Sequence, residues 1–216
     1  MRIDIVSDTI CPWCFIGKRR LERALAGWPG ERVEIGWRPF QLNPEMPSAG
    51  MDRHAYLETK FGGAERAQRV YTPIIEAGLG EGIAFAFDKI RRTPNTLLSH
   101  RLIRHAGDKG RQGEVVEALF RGYFLSGQDI GDVEIATEIA VSAGLGRDET
   151  RTFLASDAER EDVAAEESLA RSLGIQGVPC FIIDRRVMVS GAQPADVLAR
   201  AFDRAVADRA EAGVAS

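Results

Sequence analysis

The chain has three cysteines, and two of them stand only two residues apart, in Cys11-Pro12-Trp13-Cys14. Thiols this close suit thiol–disulfide exchange. One thiolate attacks a substrate disulfide, and the second thiol then resolves the mixed disulfide. The first sulfur gains reactivity if it stands at a helix N-terminus, where unpaired backbone N–H groups and the positive end of the dipole favour thiolate over thiol. The second then lies one turn on, on the same face. Pro12 suits such a first turn, because its missing N–H has no helical partner there. Two other chemistries remain open for the pair. A zinc site needs four ligands, so Cys180 and one of His54, His100 or His105 would have to complete it without any supporting spacing. Alternatively, the thiols are inert core residues. A second signal is Gly177-Val178-Pro179, directly before the apolar run Cys180-Phe181-Ile182-Ile183. Proline is tolerated at the first residue of a strand, where it removes one ladder donor. Taken alone, it reads as a loop proline in trans.

A reactive pair needs elements that hold it in place. Ile3, Ile5 and Val6 make residues 2 to 7 a short buried strand, and Asp8-Thr9 breaks it. From Pro12 to Ala26, Phe15, Gly17, Leu21, Ala24 and Leu25 fit a helix with one buried face, stopped by Trp28-Pro29-Gly30. Val33, Ile35 and Trp37 then alternate with polar or small residues, the period of a half-buried strand. A strand, a helix and a strand within residues 2 to 38 imply a crossover and parallel pairing. Residues 39 to 50, with Pro39, Pro44, Pro47 and Gly50, read as a loop near a site. From 51 to 156 every periodic segment is helical, as in Leu97, Leu98, Leu102, Ile103 or Val115, Val116, Leu119, Phe120, and no strand pattern interrupts. Residues 157 to 173 predict a helix with Val163, Leu169, Ala170 and Leu173 inward and Gly174 as its stop. Two apolar runs flanking Asp184-Arg185-Arg186 predict a hairpin, and Pro194 opens a last helix. Without the helical block the order is βαβ followed by αββα. This string is an α/β thioredoxin fold with a large all-helical insertion between its two halves. Residues 1–50 and 157–216 form the thioredoxin-like domain and residues 51–156 the insertion.

Composition narrows the classes of function. A chain of 216 residues with 44% hydrophobic and 28% charged residues builds an ordinary globular core. A net charge of -4 leaves no basic excess for a phosphate backbone, so no nucleic-acid partner is expected. No apolar run reaches the length of a membrane span, and Met1-Arg2-Ile3-Asp4-Ile5-Val6 is not a secretory leader. The expected location is the cytoplasm, with no membrane partner.

The motifs together resemble the DsbA-like thioredoxin-fold oxidoreductases, in particular the FrnE-type group. That group is related to 2-hydroxychromene-2-carboxylate isomerase and the kappa-class glutathione transferases. The resemblance rests on Ser7-Asp8-Thr9-Ile10-Cys11-Pro12-Trp13-Cys14 and Trp37-Arg38-Pro39-Phe40-Gln41-Leu42-Asn43-Pro44. It continues in Pro94-Asn95-Thr96, Ser99-His100-Arg101, Gly174-Ile175-Gln176-Gly177-Val178-Pro179 and Val189-Ser190-Gly191-Ala192-Gln193. It implies disulfide oxidoreductase chemistry, with Cys11 attacking, Cys14 resolving, and Pro12, Trp13, Val178 and a cis Pro179 beside them. It also implies that the helical block caps the site, with Phe40, Asn43, Asn95 and His100 toward it as candidate substrate-binding residues. No metal or bound cofactor is implied; glutathione is a candidate co-substrate. The substrate is a disulfide or thiol, protein or small molecule, and the protein a monomer or homodimer. The alternative is a glutathione-dependent isomerase or transferase acting on a small aromatic substrate, but those relatives carry serine where Cys11 stands. Cys180 has no counterpart in the resemblance. Strand alternation puts it on the sheet face opposite Pro179's dithiol partners, as a buried, inert thiol.

Overall fold

The computed structural model describes residues 1–214. The amino-terminal unit is β1 (Arg2–Ser7), α1 (Pro12–Gly27) and β2 (Glu34–Pro39). After a loop come β3 (Met51–Asp52), α2 (Arg53–Phe61), α3 (Ala64–Gly80), β4 (Arg92–Thr93), α4 (Leu97–Asp108), α5 (Gln112–Ser126), α6 (Val133–Ser142) and α7 (Arg147–Ala155). The chain closes with α8 (Arg160–Ser172), β5 (Cys180–Ile183), β6 (Val187–Ser190) and α9 (Ala195–Val214).

The main sheet has the order β2-β1-β5-β6. β1 and β2 are parallel, with Ile3 opposite Ile35, as the crossover helix between them requires. β5 runs antiparallel to β1, with Val6 opposite Cys180, and β6 antiparallel to β5. The hairpin turn holds Asp184 at φ 47° and Arg185 at φ 56°. Two successive positive φ values match the right-handed twist of the flanking strands. Arg186 N–H closes the turn on the Ile183 carbonyl at 2.9 Å.

β1 is paired on both edges; one face is apolar, and the other carries Arg2 and Asp4 before the buried Val6. Ile3 and Ile5 face one layer with Phe15, Phe181 and Phe202, while Val6 faces the other with Phe40, Ala170, Ile175 and Cys180. The first layer continues into the helical segment. Phe15 stacks on Phe120 at 5.2 Å between ring centroids, and Phe85, Phe87 and Phe124 extend the cluster. A single apolar cluster therefore runs from the sheet through α1 into α4, α5 and α6.

Three expectations fail locally. A two-stranded antiparallel pairing, β3 with β4, interrupts the helical segment; strands of two residues carry no period to read. On α8, Val163 and Ala170 are buried as expected, but Leu169 and Leu173 are 59% and 55% exposed and Glu167 is buried. The inward position is available to Glu167 because Arg171 and the Gln41 N–H satisfy its carboxylate. Ile35 is 40% exposed, on β2 at the edge of the sheet.

Candidate active site

The dithiol lies at the junction the sequence assigns it. Cys11 is the residue before the first turn of α1, in extended conformation at φ -91° and ψ 111°, and Pro12 opens the helix. Its N–H bonds the Asp8 carbonyl at 3.1 Å, and Cys14 N–H bonds the Cys11 carbonyl at 3.0 Å. These two bonds form a tight step from strand into helix.

Pro179, directly before β5, lies beside the dithiol, and the Val178–Pro179 peptide is cis. Cys11 Sγ donates to the Val178 carbonyl at 3.6 Å. Gly17, one turn beyond Cys14, allows this approach. A Cβ there would sit 2.9 Å from Pro179 Cγ and 3.2 Å from Phe181 Cζ.

The two thiols differ in environment. Cys11 is 4% exposed and Cys14 1%. Burial pushes the Cys14 thiol well above its ordinary range, and the neighbouring Cys11 sulfur pushes it further. The Ser7 hydroxyl and the Asp8 backbone N–H oppose that shift only in part. Both cysteines are free thiols. Cys11 is therefore slightly the less buried of the two, and burial favours the protonated form of Cys14.

The elements around the pair supply further polar groups; sequence reasoning gave a candidate role to His100, quoted Asp8, Thr9 and Ser99 without one, and missed Tyr56. Asp8 is fully buried; one carboxylate oxygen accepts the Leu42 N–H at 2.8 Å. Its other oxygen lies 3.3 Å from His100 Nε2, yet neither atom completes a hydrogen bond. The Thr9 hydroxyl sits 2.8 Å from Ser99 Oγ. Since Ser99 donates its hydrogen to the Thr96 carbonyl, Thr9 is the donor between them. From α2, the Tyr56 phenol is raised by burial, with smaller contributions from the Asp8 and Cys11 charges. Ser7-Asp8-Thr9, directly before the dithiol, was a legible signal; Tyr56 had none.

The candidate substrate-binding residues separate. Trp13, beside the cysteines, is half-buried against the core. Asn43 reaches α2, donating to the Tyr56 hydroxyl at 3.3 Å and accepting from Lys60 at 3.3 Å. Phe40 belongs to the opposite sheet face, packed with Cys180 and covered by the Arg171 guanidinium at 4.2 Å. Asn95 is committed to the fold: Oδ1 accepts Leu97 N–H and the Gln41 amide, and Nδ2 donates to the Met46 carbonyl. His100 is 4% exposed and faces Asp8. Cys180 is 1% exposed, in the layer away from the dithiol, and burial raises its pKa. Among the described residues, no three His, Cys, Asp or Glu side chains group as a metal site, and no helix is long and apolar enough to cross a membrane.

A strand-to-helix dithiol facing a proline-led strand, on a four-stranded sheet with a helical insertion, defines a thioredoxin-fold protein. Residues 2–203 match the DSBA-like thioredoxin domain, and the chain belongs to that family. It is 31% identical over 216 residues to the uncharacterized protein YwbO of Bacillus subtilis, covering 96% of each chain. Among solved structures, it is similar to a probable DsbA oxidoreductase from Streptomyces coelicolor, at 37% identity and TM-score 0.87, over 96% of this chain and 90% of that one. A 2-hydroxychromene-2-carboxylate isomerase superposes at TM-score 0.73 over 98% of both chains; at 16% identity, that likeness shows the fold alone.

Proposed function

We propose that the protein is a thiol–disulfide oxidoreductase that works through the Cys11–Cys14 pair. The observation that carries this reading is the contact of Cys11 Sγ with the Val178 carbonyl at the mouth of α1, above a buried Cys14. Cys11 as thiolate attacks a substrate disulfide. A bond forms between Cys11 and one substrate sulfur, and the other leaves as a thiolate. Cys14 then loses its proton and attacks the Cys11 sulfur. The intramolecular disulfide forms, the second substrate thiolate leaves, and two electrons have passed from the dithiol to the substrate. Run in reverse, the same steps oxidise a dithiol substrate.

Membership of the DSBA-like family and the likeness to a probable DsbA oxidoreductase support the reading. Cysteine at position 11 favours it over a glutathione-dependent isomerase or transferase. The chemistry needs no bound cofactor or metal, and glutathione serves as co-substrate. Residues 1–50 and 157–216 supply the reactive groups, and residues 51–156 select the substrate through Tyr56 and its neighbours. The protein acts in a reducing cytoplasm, as a monomer or homodimer.

Reduction of insulin or of glutathione disulfide by the wild-type, Cys11→Ser and Cys14→Ser proteins tests this. The Cys11 variant should be inactive, and the Cys14 variant should accumulate a mixed disulfide at Cys11. Turnover by Cys11→Ser, or a trapped adduct at Cys14 instead, would overturn it.

A further inference from the structure

Closing the disulfide requires a proton to leave Cys14, yet Cys14 is 1% exposed and lies beneath Cys11. A substrate held in mixed disulfide with Cys11 covers the front. The structure contains a second approach. A crevice of about 440 Å³ opens along the outer edge of β2, between it and the α4–α5 corner. Its inner wall includes Ser7, Thr9 and His100, while Cys11, Trp13, Val178 and Pro179 do not line it. The Ser7 hydroxyl faces the Cys14 sulfur. The same side chain thus borders the buried thiol on one side and the crevice on the other.

His100 reaches the inner end of this space from α4 with an unpartnered Nε2, 3.3 Å from the unpartnered Oδ1 of Asp8. Two buried polar atoms without partners are costly, and their retention beside a thiol that must ionise calls for a role. Both are tied to the reacting loop. Asp8 accepts the Cys11 N–H through its carbonyl, and Thr9–Ser99 joins that loop to α4. Other charged groups along the crevice are already paired: Arg38 with Asp4 and Glu166, Arg104 with Glu166, and Arg2 with Asp4 and Glu34. Asp108 of α4 lies at its rim. The Tyr56 phenol of α2 also feels the Asp8 charge, and the Asp8 backbone N–H favours the Cys14 thiolate.

We propose that the Asp8–His100 pair takes the proton that Cys14 sheds when it resolves the mixed disulfide, and releases it through the crevice behind β2. The inference rests on the oxidoreductase reading. In the step, the Cys14–Cys11 bond forms and the bond from Cys11 to the substrate sulfur breaks. The electron pair of that bond leaves at the front with the substrate thiolate. The Cys14 proton passes by way of the Ser7 hydroxyl and crevice water to the pair; a polar cavity of this size is large enough to hold water. The two products therefore leave by different routes, the thiolate at the front and the proton along the outer edge of β2.

Reduced protein mixed with excess DTNB resolves the two steps: Cys11 attack releases the first thionitrobenzoate, and Cys14 resolution releases the second. With Asp8→Asn and His100→Gln, the ratio of second to first rate should fall at least about tenfold near pH 7, the low end of what a general base contributes. The deficit should shrink as pH rises, because Cys14 then ionises without help. A folded variant with an unchanged ratio overturns the proposal, and so does a deficit that is the same at every pH, which marks a packing role. If both variants fail to fold, Ser7→Ala removes one oxygen from the route; the ratio should again fall with the same pH signature, and an unchanged ratio overturns the proposal. Absence of the second release in the wild-type protein instead refutes the dithiol reading itself.

Discussion

Gly17→Ala tests how tightly α1 is held against the proline loop. In a helix interior, alanine is favoured over glycine by about 0.5–1 kcal/mol. Here the added methyl would meet Pro179 Cγ at 2.9 Å and Phe181 Cζ at 3.2 Å. Comfortable carbon contacts lie near 3.5–4.0 Å, so the ring and the helix must separate by roughly 0.5–1 Å. Pro179 is a rigid ring and Phe181 is fully buried, so neither yields freely. Overpacking of this kind costs about 1–3 kcal/mol. The net expectation is a loss of about 0.5–2 kcal/mol in urea unfolding of the reduced protein. The same displacement opens the Cys11 Sγ to Val178 O contact, now 3.6 Å. Misplacement by ~1 Å can cost up to about a hundredfold in rate, so the first thionitrobenzoate release from DTNB should slow at least about threefold. A variant as stable as wild type, or more stable, with unchanged DTNB kinetics would show that the contact is soft and that Pro179 does not set the position of the dithiol.

Cys180→Ser should keep exchange activity, because Cys180 lies in the sheet layer opposite the dithiol. It should lose about 1–3 kcal/mol in chemical denaturation from burying an unpaired hydroxyl. Mass mapping of oxidised protein should show Cys11 joined to Cys14, and a Cys180 disulfide would contradict this placement. Stability should also depend on alkaline pH. Burial raises Cys14 in the folded state, so the folded chain holds a proton that the unfolded chain releases above about pH 8.5. That contribution is whole below the unfolded value and is lost as pH climbs toward the folded one, at up to about 1.4 kcal/mol per pH unit. Cys180 adds a share of the same sign. Urea melts of reduced protein between neutral and alkaline pH should show the decline, and Cys14→Ala should flatten part of it; identical slopes in the two proteins would refute the assignment.

Legibility in the sequence followed the range of the signal. The dithiol, its place between β1 and α1, the parallel partner β2 and the β5–β6 hairpin are local patterns, and each stands where periodicity or spacing puts it. Inward faces were less legible. On α8, Leu169 and Leu173 match helical spacing but point to solvent, while Glu167 is buried because Arg171 neutralises it. Apolar type alone does not say which side another element will cover. The candidate substrate residues divide similarly. Asn43 reaches Tyr56 near the dithiol, whereas Phe40 went to the far sheet face and Asn95 was consumed by loop and helix-start hydrogen bonds.

By itself, the amino-acid order determined the chemistry on offer. Two thiols two residues apart at a strand-to-helix step are close along the chain. Their geometry follows from the bond lengths and turn of a single helix. Tertiary structure alone decided what lies beside them. Val178 meets Cys11 across 167 residues, Thr9 meets Ser99 across 90, and Asp8 meets His100 only because α4 packs over the end of β1. Such contacts depend on where whole elements dock, and docking is set by the summed burial of faces such as Phe15, Phe120 and Phe124 rather than by any residue in the contact. The burial that raises Cys14 is likewise a property of the assembled core, absent from the CxxC spacing.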